Sequence, residues 1–282
     1  MHKYNFIEKF LFPFTYLNKV NLKLTLEGKT ILITGASSGI GEELTYQLAE
    51  INVHLVLVAR RGEKLLSMKS EIEKKAVAKV SIFQADLRNK EEMEALLSFL
   101  HLLPEGVDVV VSNAGKSIKR SITHSLDRYH DFTRTMSINY FAPVQLLLSV
   151  IPLLQKNQGQ IINISTINAL LIPLPYWAAY QASKSAFDTW LRSAAPELNA
   201  LGISTTTIYL PLVKTPMIAP TKAYQNTPAM SSYHVARIIC KTMYTKSKTY
   251  RPWWLIFGQV VSIIFRGIWE LSIPFILRRR GK

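Results

Sequence analysis

Thr30-Ile31-Leu32-Ile33-Thr34-Gly35-Ala36-Ser37-Ser38-Gly39-Ile40-Gly41 is the stretch on which the reading of this chain turns. An apolar, β-branched run passes into a glycine-rich turn, and a helix-length segment, Ile40–Glu50, follows. The run lacks the polar/apolar alternation of a half-exposed strand, so it predicts a strand covered on both faces. Similar runs recur at Val53–Val58, Val80–Phe83, Val107–Ser112, Gln160–Ser165 and Ile203–Tyr209. Between them lie helix-length stretches at Gly62–Lys74, Lys90–Leu102, Phe132–Gln155 and Tyr180–Leu201. Asn89, followed by Glu91 and Glu92, reads as a helix start, with a capping side chain and acids in the first turn. Such strand–helix alternation predicts an α/β fold: a single doubly wound parallel sheet of Rossmann type with right-handed crossovers.

Composition narrows the class. Of 282 residues, 48% are hydrophobic and 19% charged, which excludes a disordered chain. The formal net charge is +15; residues 241–282 carry +8 of it and residues 1–29 a further +3. The excess basicity therefore belongs to the ends. Three regions are expected: an apolar, basic N-terminal extension at 1–28, the α/β domain at 29–246 and a hydrophobic, basic tail at 247–282. One cysteine, Cys240, excludes an internal disulfide and points to a reducing compartment. The histidines show no H-x-x-x-H or H-E-x-x-H spacing and no C-x-x-C occurs, so no metal site is expected. Around Phe10–Leu17, Glu8 and Lys9 precede the apolar residues, Pro13 splits them and no small-x-small site follows, which speaks against a secretory signal.

The turn carries the first chemical signal. Glycines after the first strand let backbone N–H groups approach a pyrophosphate, and a helix N-terminus adds favourable partial charge. The residues in place are Gly35, Ser37, Ser38, Gly39, Ile40 and Gly41, spaced G-x-x-x-G-x-G rather than G-x-G-x-x-G. The second strand ends in Arg60-Arg61 where an NAD site places an acid, and arginine accommodates a 2′-phosphate; NADP(H) is therefore expected over NAD(H). Asp86 and Asn113-Ala114-Gly115 follow the third and fourth strands, at the carboxyl edge where ligands of open α/β sheets bind. Asp86 reads equally as an adenine contact or a helix cap.

Tyr180 and Lys184 stand four apart, on one face of the helix after the fifth strand. A nearby ammonium stabilises phenolate, so the Tyr180 pKa is expected below its ordinary value, which makes a proton donor for a carbonyl accepting hydride.

T-G-A-S-S-G-I-G, N-A-G, the Asn139 of Ser137-Ile138-Asn139-Tyr140 and Y-Q-A-S-K, in this order over roughly residues 28–245, resemble the short-chain dehydrogenase/reductase superfamily. The resemblance implies Tyr180 as general acid, Lys184 as pKa-lowering cation and nicotinamide-ribose ligand, and Asn139 in a proton relay. It also implies that Pro211-Leu212-Val213-Lys214-Thr215 lies over the nicotinamide, with Thr215 on the carboxamide. Two departures stand out. The family's serine thirteen residues before the tyrosine is here Ile167; aligning the strand end puts Thr166 in its place, with Ser165 as fallback. Threonine has the same hydroxyl inventory. The usual glycine-bearing last strand is also missing.

Asn113–Arg120, Asp127–Phe132, Arg134-Thr135-Met136 and Tyr209–Lys222 resemble more closely the bacterial fatty acyl-CoA reductases of this superfamily. That implies reduction of a long-chain acyl thioester, or of the aldehyde itself, with NADPH. Lys116, Lys119 and Arg120 are then candidates for the phosphates of coenzyme A, against a plain solvated loop. Two alternatives stay open: a ketone or alcohol oxidoreductase for a sterol, quinone or keto-lipid, and a catalytically silent cofactor-binding scaffold. Cys240 reads as a small buried apolar residue. The family resemblance implies a dimer or tetramer.

Residues 253–277 could span a bilayer by length, but Gln259, Arg266, Glu270 and Pro274 interrupt them. Tryptophans bracketed by Lys and Arg have the composition of an interfacial element. A monotopic anchor comes first, a substrate-tunnel lid second and a true span third; the Phe-rich start joins the same surface or packs on the core. The terminal cations 278–282 would add roughly 1 kcal/mol each near anionic lipid. The expected location is the cytoplasmic side of a membrane, peripheral or monotopic. A nucleic-acid partner is not expected, because the charges bracket apolar residues rather than line a groove.

Overall fold

The computed structural model describes residues 4–218, 224 and 226–280. Seven parallel strands form one sheet in the order β3-β2-β1-β4-β5-β6-β9. These are β1 (Thr30–Thr34), β2 (His54–Ala59), β3 (Lys79–Gln84), β4 (Val109–Ser112), β5 (Gln160–Thr166), β6 (Ser204–Leu210) and β9 (Thr249–Tyr250). A two-stranded ribbon, β7 (Val213–Lys214) with β8 (Met230–Ser231), stands apart from it. Both faces of the sheet are covered. Ile31 and Ile33 of β1 join one apolar cluster while Leu32 joins the other. This is why the strand reads as a continuous apolar run.

On the first face lie α3 (Gly39–Leu48), α4 (Gly62–Lys75) and α9 (Ser232–Thr245). On the second lie α5 (Lys90–His101), α7 (Ala142–Lys156) and α8 (Ala178–Ala200). Asn89 caps α5 as expected, its side chain accepting from the Glu92 N–H at 2.8 Å. The helix predicted at Phe132–Gln155 is in fact α6 (Tyr129–Met136), a π-helical turn at Ser137–Phe141 and α7. The break has a cause in the sequence. Pro143 has no N–H with which to close an i→i+4 bond to the Asn139 carbonyl.

Two further differences concern the ends. The missing last strand is present as β9, two residues long and parallel to β6 through Thr207↔Thr249 and Ile208↔Tyr250. Two residues are too few to leave a periodic pattern, and they fall inside the expected tail. Residues 4–28 form α1 (Phe6–Leu11) and α2 (Lys19–Leu26), whose Phe12, Leu22 and Leu26 join the core cluster of β1. The extension is thus part of the packed layer, while Phe6, Phe10 and Phe14 stay exposed. Cys240 is fully buried, and burial pushes its thiol up to about 12.

At the other end come α10 (Leu255–Ile264) and α11 (Arg266–Arg280), bent by 86° at their junction. Leu255 is buried, and Ser262 Oγ accepts from the Ile172 N–H at 3.3 Å, so α10 rests on the loop after β5. Beyond that contact the pair bares Phe257, Val261, Ile264, Leu271 and Phe275. Gly281, Lys282 and the side chains of Arg279 and Arg280, three of the four cations of the expected basic terminus, lie outside the described residues, as do Ala219–Ala223 of the Tyr209–Lys222 motif and its continuation.

His234 on α9 joins the N-terminal segment to the core, bonded to Tyr4 Oη at 3.1 Å and Thr15 Oγ1 at 2.9 Å. Burial, with help from Arg237, brings its pKa down to about 4. Between that value and about 6.5 the unfolded chain holds a proton that the folded one does not, so His234 makes stability fall as pH falls through this window. The full effect is on the order of 3 kcal/mol. In urea titrations from pH 7 to 4.5, His234→Asn is expected to lose that part of the wild-type slope.

Candidate functional site

The site sits where the strand order reverses, between the carboxyl ends of β1 and β4. Here Thr34 and Asn113 tie two motifs into one body. Thr34 Oγ1 accepts from the N–H groups of Asn113 and Ala114, both at 3.0 Å. The Asn113 amide donates to the carbonyls of Thr34 at 2.9 Å and Gly35 at 3.3 Å. Gly35 and Gly39 have φ of +68° and +59°, in the region glycine favours. Gly41 is helical, yet a Cβ there would stand 2.5 Å from the Gly35 carbonyl oxygen, so α3 approaches the turn only with glycine at that position.

A cavity of about 830 Å³ opens along this edge. It is lined by all the residues singled out from the sequence except Gly41, Asn139 and Arg120. Each exception has a structural reason. Gly41 lies behind the turn. The Asn139 side chain holds the chain at Lys116, accepting its N–H at 2.9 Å and donating to its carbonyl at 2.8 Å, and it also donates to Ser183 Oγ at 2.9 Å. None of its side-chain bonds runs to Tyr180 or Lys184. Arg120 is drawn away: its Nε binds the nearly buried Asp131 carboxylate at 3.1 Å, alongside Arg128. The tentative phosphate set therefore loses Arg120.

Arg61 folds back over the glycine turn, its Nη2 donating to the Ser37 carbonyl at 2.8 Å and its Nε to Ser37 Oγ at 3.2 Å. Arg60 stays exposed on the cavity rim. Asp86 does not cap α5. Arg88, which the sequence reading passed over, grips its carboxylate with Nε at 2.9 Å and, with help from Arg60, holds it below the usual carboxylate range. Arg60, Lys116 and Lys119 line the cavity and make no ion pair among the described residues. Burial, then the cations Arg134, Arg60 and Arg88, push the Lys116 ammonium below its ordinary value. Cations gathered in a concave surface whose one lining carboxylate, Asp86, is already held by Arg88 favour an anionic ligand.

At the other end, Thr166 at the end of β5 and Tyr180 line the same cavity, and the threonine hydroxyl acts on the phenol. Ser165 Oγ is buried without a hydrogen-bond partner. Lys184 Nζ donates to the Ile164 carbonyl at 2.9 Å, and burial brings its pKa down to about 8. The expected lowering at Tyr180 is not found. Burial pushes its phenol up to about 12, against the smaller, opposite effect of the Thr166 hydroxyl. Desolvation disfavours the phenolate here more than neighbouring groups favour it, so Tyr180 is a neutral phenol at pH 7. Trp177 stands edge-on to Tyr180 at 5.7 Å and stacks on Tyr224 at 6.3 Å, an aromatic wall with no periodic signal in the sequence. Thr215 stands against the turn, its Cγ2 3.0 Å from where a Cβ on Gly39 would lie.

Comparison with known proteins agrees with this geometry. Residues 29–226 match the family model described as short chain dehydrogenase. Over 224 residues the chain is 42% identical to a fatty acyl-CoA reductase of Acinetobacter baylyi, covering 79% of this chain and 75% of that protein. It is 40% identical over 212 residues to a fatty acyl-CoA reductase of Mycobacterium tuberculosis, covering 75% of this chain and 72% of that one. Among solved structures, a short-chain dehydrogenase from Sphingobium yanoikuyae in complex with NADPH shares the fold, with a TM-score of 0.75 at 21% identity over 86% of this chain and 95% of the other.

Gly41→Ala is expected to cost about 1–3 kcal/mol of stability by forcing backbone apart. Gly267→Ala, where nothing lies within 4 Å of the added carbon, should leave the denaturation midpoint level or raise it.

Proposed function

The chain belongs to the short chain dehydrogenase family, and we propose that it reduces long-chain fatty acyl-CoA to the aldehyde, with NADPH, at a membrane surface. It is an oxidoreductase dependent on a nicotinamide cofactor. The observation that carries the finer reading is one cavity that holds the Tyr180 phenol and the Thr166 hydroxyl together with Arg60, Lys116 and Lys119, cations without an ion pair among the described residues, which suit phosphate-bearing molecules.

The residues present fit the cofactor. The cavity runs past the turn at Gly35, Ser37, Ser38 and Gly39, and backbone N–H groups at the start of α3 suit a pyrophosphate. Arg60 and Arg61 suit a 2′-phosphate, which supports NADP(H) over NAD(H). Asn113, Ala114, Gly115, Lys184, Pro211, Val213 and Thr215 would line the rest of its path. When bound, the dihydronicotinamide supplies hydride to a carbonyl carbon. Tyr180 and Thr166 donate hydrogen bonds to the carbonyl oxygen, where negative charge develops. The phenol is protonated at pH 7 and so holds the proton that this oxygen must gain. Collapse of the resulting hemithioacetal expels the thiol of coenzyme A and leaves the aldehyde, without a cysteine nucleophile. Lys116 and Lys119 are the proposed phosphate contacts of the thioester's carrier.

The membrane reading is supported by the apolar residues bared on α10 and α11 and by the edge contact of Phe10 with Trp253 at 5.3 Å, which brings α1 beside α10. The 86° bend favours an element lying in the interface over a straight span.

Following NADPH absorbance with palmitoyl-CoA tests the activity; no turnover on acyl-CoA or fatty aldehyde, with turnover on ketones, would overturn it. Tyr180→Phe is expected to lower kcat by about 10²–10⁴-fold. Because kcat/KM reports groups of the free enzyme, kcat/KM for NADPH should fall above about pH 8 as Lys184 loses its proton.

A further inference from the structure

Glu8 is a buried charge that the chemistry above does not use. It is 3% exposed, on a short helix whose outer side bares Phe6, Ile7 and Phe10. Burial disfavours its carboxylate, but Lys214 and the N–H groups of Asn5 and Ala229 outweigh that and hold its pKa below the ordinary value. Glu8 Oε1 meets Lys214 Nζ at 2.6 Å and the Ala229 N–H at 3.3 Å, while Oε2 accepts from the Asn5 N–H at 3.2 Å.

The partners are placed at the two ends of one segment. Lys214 lies on β7 and Ala229 immediately precedes β8, and the two strands pair through Val213↔Met230 and Lys214↔Ser231. One carboxylate therefore grips both strands of the ribbon. Tyr4 adds a second tie, its Oη accepting from the Ser231 N–H at 2.9 Å while the Lys214 ammonium lies 5.9 Å from its ring centre. Directly after Lys214 come Thr215, packed against the glycine turn, and Met217 and Ile218 of the cavity wall. A buried ion pair is a poor source of stability, since apolar residues of like volume do as well, but it does specify one arrangement.

We propose that Glu8 is a positioning residue: through Lys214 and Ala229 it fixes the base of the ribbon and so sets Thr215 and the wall behind it against the cofactor's place in the cavity. The inference rests on reading residues 213–218 as the wall over the nicotinamide.

The test measures NADPH dissociation constants by fluorescence on the full chain, together with KM, kcat and melting temperature. Glu8→Gln is expected to weaken NADPH binding and raise its KM about tenfold with kcat changed less than about twofold. Lys214→Met should do the same, and it carries the test alone if Glu8→Gln fails to fold, because the Lys214 side chain is 33% exposed. Leu22→Ala, a buried residue of α2 away from the ribbon, should lower the melting temperature and leave NADPH binding unchanged. Wild-type affinity in both Glu8→Gln and Lys214→Met, or an equal loss in Leu22→Ala, overturns the proposal. Thr215→Ala separates the two failures. Unchanged NADPH binding there overturns the reading of 213–218, whereas weakened binding beside an unaffected Glu8→Gln overturns the role of Glu8 alone.

Discussion

The bond between Asn113 and the glycine turn is the constraint from which the site follows. A turn rich in glycine is floppy by composition, because glycine has the most conformational freedom to lose. Thr34 and Asn113 remove that freedom from the side: their five hydrogen bonds, including the Thr34 hydroxyl's donation to Val111, weld β1 to β4 at the point where crossovers leave in opposite directions. With the turn held, α3 can start close beneath it and Arg61 can close over Ser37. Gly115, two residues beyond Asn113, then falls beside Asn139 and Lys184, so the nucleotide end and the chemical end of the cavity are referred to the same anchor.

Burial decides the electrostatics of that chemical end. Tyr180 and Lys184 are both driven toward their neutral forms, the phenol up and the ammonium down. The two shifts have the same origin in desolvation, and their directions suit different tasks. A phenol that resists ionisation retains the proton a reduced carbonyl oxygen must gain. A lysine that has no carboxylate beside it keeps its donors for the Ile164 carbonyl and for ligands of the cavity. Asn139 belongs to the framework of this arrangement. Its side chain binds the backbone at Lys116 and, through Ser183, the helix that carries both reactive groups.

The parts legible in the sequence are those where a local pattern and a tertiary demand coincide. Six strands covered on both faces left apolar runs, and the turn at Gly35–Gly41 announced itself because only glycine tolerates its backbone and contacts. Thr166 could be placed by counting from the strand end, since β5 carries its register into the site. What escaped reading was fixed by contacts between distant segments. The pull of Asp131 on Arg120, the clasp of Arg88 on Asp86 and the stacking of Trp177 on Tyr224 depend on approach in space. The elevated Tyr180 pKa was misjudged for the same reason: spacing shows that a cation is near, and only the packed structure shows how much water has been removed. The π turn is the exception, since Pro143 four residues after Asn139 was a local sign of it.

The two ends of the cavity differ in character, and the difference bears on what could occupy it. Arg60, Arg61, Arg88 and Lys116 make one region cationic, whereas Leu174, Trp177, Met217 and Ile218 make the other apolar, with Lys119 over the Tyr224 ring beside Trp177. With the Arg60–Arg61 end assigned to the cofactor, the apolar end with Lys119 at its edge suits a substrate that carries both a hydrocarbon chain and phosphate better than it suits a small polar ketone. The apolar region adjoins the loop after β5 on which α10 rests, with Leu171 against Gly258 and Ile172 bonded to Ser262. The helix that bares its apolar side outward is thus the one that supports the rim of the chamber. If that side lies in lipid, as proposed, a long acyl chain would pass from bilayer to cavity along apolar surface, with little of it crossing water. This would spare the roughly 0.8 kcal/mol per methylene that exposure to water costs.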